Sequence, residues 1–252
     1  MSQAISAAEL RTQLAASRPP LVIDVRRRAA FTASREMAGG ALRRDPEQVA
    51  AWASTLPPAD GVVVYCVHGH EVSQKTAAAL AQRGLRARYL EGGLEEGWKP
   101  AGGALDRKPA SASTQGVTRA RPKIDRIACP WLIARFVDPD AEFLYVPANE
   151  VLDAAKAREA IAYDVSNVHF GHDGELCSFD AFIRHYRLSD PALGRLATIV
   201  RGADTGLPGL TPESPGLLAI SQGLSRNFTD DHEMLKHGMV MYDALYAWCK
   251  EQ

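Results

Sequence analysis

Residues 62–80 have the sequence VVVYCVHGHEVSQKTAAAL, which predicts the order of the structural elements around them. The apolar run at its start is typical of a buried strand. Cys66 ends that run, and a loop with a glycine then leads into a stretch with helical spacing. We expect this helix to begin near Ser73 and to be closed by Gly84. The stretch therefore predicts a strand, a short loop that carries a cysteine, and a helix.

The neighbouring segments repeat this alternation of strand and helix. LVIDV at 21–25 and RARYL at 86–90 are further short runs suited to buried strands. SAAELRTQLAAS at 6–17 opens with a serine and a glutamate in capping-box spacing, and DPEQVAAWAS at 45–54 has a proline at a helix start. Apolar strands separated by helices predict an α/β fold with a parallel sheet and helices on both faces.

A change in composition indicates a second domain. Residues 106–120 are rich in Ser, Ala and Thr and lack apolar periodicity, so we expect a linker between one domain at 1–105 and another at 121–252. Two strands are expected early in the second domain, at 141–147 and 161–165. Mainly helical stretches follow, which begin near Ser178, Asp190, Ser214 and Asp231. The second domain is therefore expected to be α-rich with a small β portion.

The composition narrows the classes of function. The 252 residues include 46% hydrophobic and 23% charged residues, and the formal net charge is −1. A near-neutral chain has no global basic field for nucleic acid or anionic membrane. The chain has no apolar run of membrane-spanning length and no basic leader before an apolar core, and its four cysteines are widely spaced. We therefore expect no membrane partner and a reducing cytoplasmic location.

Cys66 lies where thiol chemistry is favoured. Open α/β sheets bind ligands at the carboxyl ends of their strands, and the amides and dipole of the next helix favour an anion such as a thiolate. Gly69 allows the backbone to curl, and His68 and His70 add positive charge when protonated. These features favour attack by the thiolate on a sulfane sulfur or an oxyanion centre. The alternatives are a metal ligand and an unreactive buried cysteine.

Longer motifs in this half resemble the rhodanese family. They are LVIDVR at 21–26, YCVHGHEVSQKTAAALAQRG at 65–84 and RARYLEGGLEEGWKPAGG at 86–103, and the resemblance covers about residues 5–104. Rhodanese domains are sulfurtransferases, and the resemblance implies a persulfide carried on Cys66.

The same resemblance implies a set of residues around the substrate. Asp24 and Arg26 match family positions that brace the fold near the site. The loop and first helical turn comprise His68, Gly69, His70, Glu71, Val72 and Ser73. Many active members carry an arginine in this loop, where this chain has His70, Glu71 and Val72.

The second half concentrates histidines and carboxylates. His172 lies in a glycine-flanked loop, Asp204 follows the expected helix end at Gly202, and His232 is expected on the core side of the last helix. Nitrogen and oxygen ligands of this kind can converge on one divalent metal ion. The alternative is a capping Asp204, a loop His172 and a hydrogen-bonded core His232.

This half resembles the C-terminal domain of the chromate-resistance protein ChrB. The resemblance runs from about 120 to 250 and rests on PKIDRIACPWLIARFVDPDAEFLYVP at 122–147, GELCSFDAF at 174–182, IVRGADT at 199–205 and the long helical segment at 216–249. Classical ChrB proteins carry a different N-terminal domain and act as chromate-responsive regulators. Because a rhodanese-like domain takes its place here, and no basic helix suits a DNA groove, we do not expect nucleic acid as a partner.

The sequence thus predicts a sulfurtransferase that forms a persulfide on Cys66 and is linked to chromate resistance or response. Its expected partners are a small sulfur donor or oxyanion and an acceptor thiol, and no cofactor is expected for sulfur transfer. The alternative is a non-catalytic protein that senses chromate or a metal, with the first domain as a binding scaffold. The pattern leaves open whether the chain forms a homodimer.

Overall fold

A computed structural model describes residues 4–56, 59–107, 114–138 and 140–252. Its contacts divide the chain into two units. One comprises Met1–Lys108 with His185–Ser189, and the other comprises Pro109–Arg184 with Asp190–Gln252.

A parallel sheet forms the centre of the first unit. The strands are β1 (Ala4–Ile5), β2 (Leu21–Asp24), β3 (Glu36–Ala38), β4 (Leu42–Arg43), β5 (Val62–Tyr65), β6 (Ala87–Leu90) and β7 (Leu105–Arg107). Five of them form the sheet in the order β1-β6-β5-β2-β4, with every pairing parallel, while β3 and β7 form a separate antiparallel pair. The helices are α1 (Ala7–Leu14), α2 (Arg28–Ala33), α3 (Val49–Trp52) and α4 (Glu71–Ala81), with a π-helical segment at Gly93–Trp98.

Burial on both faces explains why the central strands are continuously apolar. In β5, Val63 and Tyr65 pack into a core that contains Leu10 and Trp98. Val62 and Val64 pack into a second core with Trp52 and Leu80. Successive strand residues point to opposite faces, so an all-apolar strand needs a core on each side. The predicted parallel sheet with helices on both faces is confirmed.

The second unit combines a small sheet with many helices. Its strands β8 (Gln115–Arg119), β9 (Glu142–Val146) and β10 (Ile161–Ala162) pair in parallel in the order β10-β8-β9. The helices are α5 (Asp125–Leu132), α6 (Val151–Arg158), α7 (Ser178–His185), α8 (Pro191–Asp204), α9 (Ser214–Asn227) and α10 (Asp231–Glu251). The expected α-rich α+β character is therefore confirmed. Within the described ranges, no helix has both the length and the apolar character needed to cross a bilayer.

Close packing in this unit depends on small side chains at helix contacts. A Cβ at Gly238 of α10 would lie 2.5 Å from Cγ2 of Ile127 in α5. Near this contact, the Tyr242 hydroxyl donates a hydrogen bond of 2.9 Å to the carbonyl oxygen of Ile124. Helix α10 therefore holds the start of α5 in a defined position, which matters because α5 begins at Asp125.

The expected end of α8 at Gly202 is wrong. The helix continues to Asp204, so Asp204 lies in its last turn and not in a loop beyond it. Gly202 allows close packing instead, because a Cβ there would lie 2.3 Å from the Oγ of Ser214. Glycine in a helix signals either an end or a tight contact, and only the packing distinguishes the two.

The expected core-facing position of His232 is also wrong, because its side chain is exposed. The buried face of α10 contains Met234, Gly238 and Tyr242. The expectation placed Leu235 and Met239 on the buried face, so it was shifted by one residue along the helix.

The expected linker at 106–120 has regular structure at both ends. Strand β7 ends at Arg107, and β8 begins at Gln115. Residues 108–113 lie outside the described residues, and the linker remains a prediction for them. The domain boundaries at 105 and 121 likewise remain predictions.

Candidate functional site

Cys66 directly follows β5 and faces the first turn of α4. Its side chain is buried, and its Sγ lies 3.2 Å from the Oγ of Ser73. The Ser73 hydroxyl is also buried and lies 3.1 Å from the carbonyl oxygen of His70. A hydroxyl has one proton to donate. When the thiol is ionised, that proton can be directed to the sulfur, so Ser73 is placed to stabilise a thiolate.

Two glycines at the end of β6 shape the cysteine loop. Gly93 has a φ of +55°, and a Cβ there would lie 2.5 Å from both the carbonyl oxygen of Cys66 and the amide nitrogen of Gly69. The Leu94 amide donates to the Cys66 carbonyl and the Glu95 amide donates to the Val67 carbonyl, each at 3.0 Å. The segment after β6 therefore clamps the loop through its backbone. The glycine pair at the end of this strand was visible in the sequence, but its contact with the cysteine loop was not.

The loop histidines lie at the surface. His68 is about half exposed, and its Nδ1 lies 2.9 Å from Oε1 of Glu96. His70 is exposed at the N-cap position of α4, and the two imidazole rings are 5.9 Å apart. Both rings therefore border the loop and remain accessible to a solvent-borne anion.

The side chain of Glu71 is exposed. Its carboxylate forms an i,i+4 ion pair with Lys75 on the exposed side of α4. The hydrogen bond from Lys75, with a smaller contribution from Arg27, lowers the pKa of Glu71. Val72 is half-buried in the same turn. The negative charge of Glu71 is thus partly balanced on the outside of the helix, so it opposes an anion at Cys66 less than its position in the sequence indicates.

Asp24 and Arg26 form a closed network at the carboxyl end of β2. Arg26 donates to both carboxylate oxygens of Asp24, with 2.6 Å between Nη2 and Oδ2, and also to the Glu36 carbonyl. The Tyr65 hydroxyl donates to Oδ2 of Asp24 at 2.8 Å. Asp24 and Arg26 are 0% and 1% exposed, so they brace the strand end that precedes Cys66. Their predicted contact with a substrate stays a prediction, and this burial opposes it.

A second cluster in the other unit brings together residues from four segments. His172 Nε2 lies 3.1 Å from Oδ2 of Asp204, 3.4 Å from Oδ2 of Asp125 and 3.4 Å from Oδ1 of Asp164. Asp125 is the first residue of α5, Asp164 follows β10, and Asp204 ends α8. Of the three predicted metal ligands, the structure thus brings His172 and Asp204 together.

His232 is not part of this cluster in the described structure. It is exposed, and its ring lies against Tyr145 with a centroid distance of 5.6 Å. The sequence analysis did not include Asp125 and Asp164 among the candidate ligands. Asp125 lies within the resembling motif PKIDRIACPW, but no local spacing connects it with His172.

The electrostatics of the cluster reflect buried like charges. The hydrogen bond with Asp125 raises the pKa of His172 to about 9. Burial and then repulsion from Asp125 and Asp164 raise the pKa of Asp204 to about 7. Burial and Asp125 also raise the pKa of Asp164, although Arg119 and Arg126 contact its Oδ2 at 2.6 and 3.0 Å. The negative charge of the three carboxylates in the cluster is therefore not fully balanced by the nearby cationic side chains.

The backbone is strained at two points in this cluster. Ile124, directly before Asp125, has a φ of +43°, and Asp164 has a φ of +51°. A positive φ is rare for a β-branched residue, and such strain persists only where surrounding contacts enforce it. At Ile124 one such contact is the hydrogen bond from Tyr242.

Two buried cysteines lie near the cluster without joining it. Cys129 and Cys177 are both fully buried. Burial, and secondarily the charge of Asp125, raises the pKa of each thiol. Both are therefore neutral under ordinary conditions, and they pack near the carboxylates as small apolar groups.

The fold and the cysteine loop define the first unit as rhodanese-like. A family model described as the rhodanese-like domain matches residues 6–100. A model described as ChrB, C-terminal domain, matches residues 116–249, which is more than half of the chain. The chain therefore belongs to the ChrB C-terminal domain family and carries a rhodanese-like domain before it. Both family resemblances inferred from the sequence are confirmed.

One curated relative matches about half of the chain. The chain is 31% identical over 134 residues to Protein ChrB of Cupriavidus metallidurans, a match that covers 53% of this chain and 40% of the relative. The chain thus spans less than half the length of the relative that it matches.

Solved structures resemble parts of the chain. A rhodanese-related protein from Thermoplasma volcanium is 23% identical, with a TM-score of 0.35, over 41% of this chain and 96% of that one. A thiosulfate sulfurtransferase from Pseudomonas aeruginosa is 20% identical, also with a TM-score of 0.35, over 65% of this chain and 27% of that one.

Proposed function

We propose that the protein transfers sulfur through a persulfide on Cys66 and acts in chromate resistance or the response to chromate. The observation that carries the proposal is the placement of Cys66. Its Sγ lies 3.2 Å from the Ser73 hydroxyl, in a loop that backbone hydrogen bonds to the segment after β6 hold in shape. The context of chromate rests on membership in the ChrB C-terminal domain family.

The reaction would proceed in two balanced steps. In the first, the Cys66 thiolate attacks the outer sulfur of a sulfane donor. A new S–S bond forms as the old one breaks, and the donor leaves with the electron pair of the broken bond. In the second, an acceptor thiolate attacks the outer sulfur of the Cys66 persulfide, takes that sulfur and regenerates the Cys66 thiolate. No net oxidant or reductant is needed.

The surroundings of Cys66 suit a persulfide anion. Helix α4 has 11 residues, and the positive end of its dipole faces the loop. Ser73 adds one hydroxyl donor in the first turn. A hydrogen bond to a charged group contributes about 1.5–3 kcal/mol.

The charges around the loop suggest the kind of donor. No arginine lies between Val67 and Ser73, and the flanking histidines are exposed. A doubly charged donor such as thiosulfate would therefore gain less here than in a loop with an arginine. We expect a singly charged persulfide or polysulfide to be the better donor.

The experiment is a sulfur-transfer assay on the full chain with thiosulfate or an organic persulfide as donor and cyanide as acceptor. Mass spectrometry of the Cys66 peptide would detect the added sulfur atom. The wild type should turn over and carry the persulfide, and Cys66→Ser should do neither. Cys249→Ala, which removes a different buried thiol, should keep the activity.

The opposite result would favour the alternative function. If the wild type shows no Cys66-dependent turnover and no persulfide with any sulfane donor, sulfur transfer is overturned. The rhodanese-like domain would then be a scaffold in a protein that senses chromate or a metal.

A further inference from the structure

We propose that Asp125, Asp164, His172 and Asp204 bind one divalent transition-metal ion. This site lies in the ChrB C-terminal domain and is independent of Cys66. The ligand atoms of Asp125, Asp164 and His172 all lie within 4.8 Å of one another. Asp204 joins them through its 3.1 Å approach to Nε2 of His172.

The distances fit the coordination shell of a metal. Ligand bonds of about 2.0–2.2 Å, at tetrahedral or octahedral angles, separate neighbouring ligand atoms by about 3.0–3.5 Å. The three contacts of His172 Nε2 are 3.1, 3.4 and 3.4 Å. The separations between Nε2 and each of the three facing carboxylate oxygens are therefore those of neighbouring ligand atoms around one ion.

One carboxylate oxygen of the cluster is buried without a hydrogen bond from the described residues. Asp125 is 1% exposed, and its Oδ1 has no hydrogen-bond partner among the described residues. Its Oδ2 accepts from the Ser178 amide at 3.3 Å and faces His172. A buried carboxylate with an unpartnered oxygen is costly, and a cation bound by the same carboxylate reduces that cost.

The charged groups around the cluster favour an additional positive charge. Three carboxylates face one imidazole, and the guanidinium groups of Arg119 and Arg126 both contact Oδ2 of Asp164. Because these arginines occupy Oδ2, they orient Oδ1 of the same carboxylate towards His172. Groups of this kind fix the direction of metal ligands.

The donor atoms indicate the class of metal. One imidazole nitrogen and three carboxylate oxygens suit Zn²⁺, Mn²⁺ or Fe²⁺, whereas Cu⁺ prefers sulfur. The side chain of His172 is 39% exposed, so the site is open to solvent on that side. A solvent-facing coordination position can admit water or an exogenous anion.

The experiment is a titration of the full chain with Mn²⁺ and with Zn²⁺ after removal of metals by a chelator. Calorimetry should give one bound ion per chain, and Mn²⁺ electron paramagnetic resonance should lose the signal of the free ion. We expect Asp204→Asn and His172→Ala each to weaken binding at least tenfold. Saturating Mn²⁺ should raise the melting temperature of the wild type by several degrees but not that of Asp204→Asn.

A matched control lies beside the site. Asp173→Asn removes an exposed carboxylate in the same loop as His172, and Cys66→Ser removes the proposed nucleophile. Both should bind the metal as the wild type does. If the folded wild type binds neither Mn²⁺ nor Zn²⁺ at millimolar concentration, or if Asp204→Asn and His172→Ala both bind them unchanged, the site is overturned. Since Cys66→Ser separates the two proposals, failure of one leaves the other standing.

Discussion

The sulfur of Cys66 and the hydroxyl oxygen of Ser73 lie 3.2 Å apart, across the loop between β5 and α4. Cys66 directly follows the buried strand β5, and Ser73 lies in the first turn of α4. The pair therefore couples the proposed nucleophile to a hydroxyl whose position is set by the helix, and a change at Ser73 should act on the chemistry of Cys66.

Ser73→Ala should lower sulfur transfer about tenfold to a hundredfold. The variant removes the hydroxyl that stabilises the sulfur anion, and a hydrogen bond to a charged group contributes about 1.5–3 kcal/mol. The rate of persulfide formation on Cys66, followed by rapid quenching and mass spectrometry, checks this expectation.

Thr76→Val provides the control for Ser73→Ala. Thr76 is also buried in α4 and donates to the Val72 carbonyl at 2.8 Å, so the variant likewise removes a buried hydroxyl hydrogen bond. We expect a similar change in stability of about 1 kcal/mol but no large loss of transfer. Equal losses in the two variants would contradict a specific role for Ser73.

Gly93→Ala should destabilise the protein by about 3 kcal/mol or more. A left-handed backbone costs a residue with a Cβ about 1–2 kcal/mol, and the clash with Cys66 and Gly69 adds to that cost. Gly84→Ala separates the two effects, because Gly84 also has a positive φ of +82° but no atom lies within 4 Å of an added Cβ. Urea denaturation should therefore show a loss of only about 1 kcal/mol for Gly84→Ala. A loss for Gly93→Ala no larger than this would contradict the clamp.

Alkylation of the native protein should modify Cys66 before the other three cysteines. Cys66 is 6% exposed, whereas Cys129, Cys177 and Cys249 are 0% exposed. Burial also raises the pKa of each of these three thiols, which lowers their reactive thiolate fraction. Iodoacetamide labelling at pH 7.5 with peptide mapping gives the order. Earlier labelling of a cysteine in the second unit would contradict the expectation.

Asp243→Asn should reduce stability at neutral pH but not in acid. Hydrogen bonds from Arg135, and secondarily from Trp131, lower the pKa of Asp243 below its ordinary value of 3.8. The ionised group therefore stabilises the fold above about pH 4, and that contribution is lost as the pH falls through the lowered pKa. Because the pair is partly exposed, we expect a difference of about 0.5–1 kcal/mol at pH 7 that disappears near pH 2.

Urea midpoints measured from pH 2 to pH 7 check this prediction. Asp173→Asn serves as the control, since its carboxylate is 72% exposed and lies 3.4 Å from Arg184. It should leave the stability curve close to that of the wild type. A difference between Asp243→Asn and the wild type that stays constant down to pH 2 would contradict the assignment.

The sequence by itself determined the local order of the first unit. The valine run before Cys66 and the helical spacing after it place the cysteine between β5 and α4. Hydrophobic periodicity predicts these helices and strands because the residues that form the buried faces of one element are close together in sequence. The same reasoning missed β8, which lies in a polar segment and forms through pairing with β9 and β10.

Only the tertiary structure decided which polar residues meet. Asp125, Asp164 and His172 come from separate segments of the chain and meet only in the folded structure. His232, which the sequence predicted as a ligand, lies on an exposed face of α10 instead. Likewise, the clamp by Gly93 depends on β6 lying beside β5. Local patterns reveal which face of an element is buried, whereas the convergence of distant side chains depends on how the elements pack.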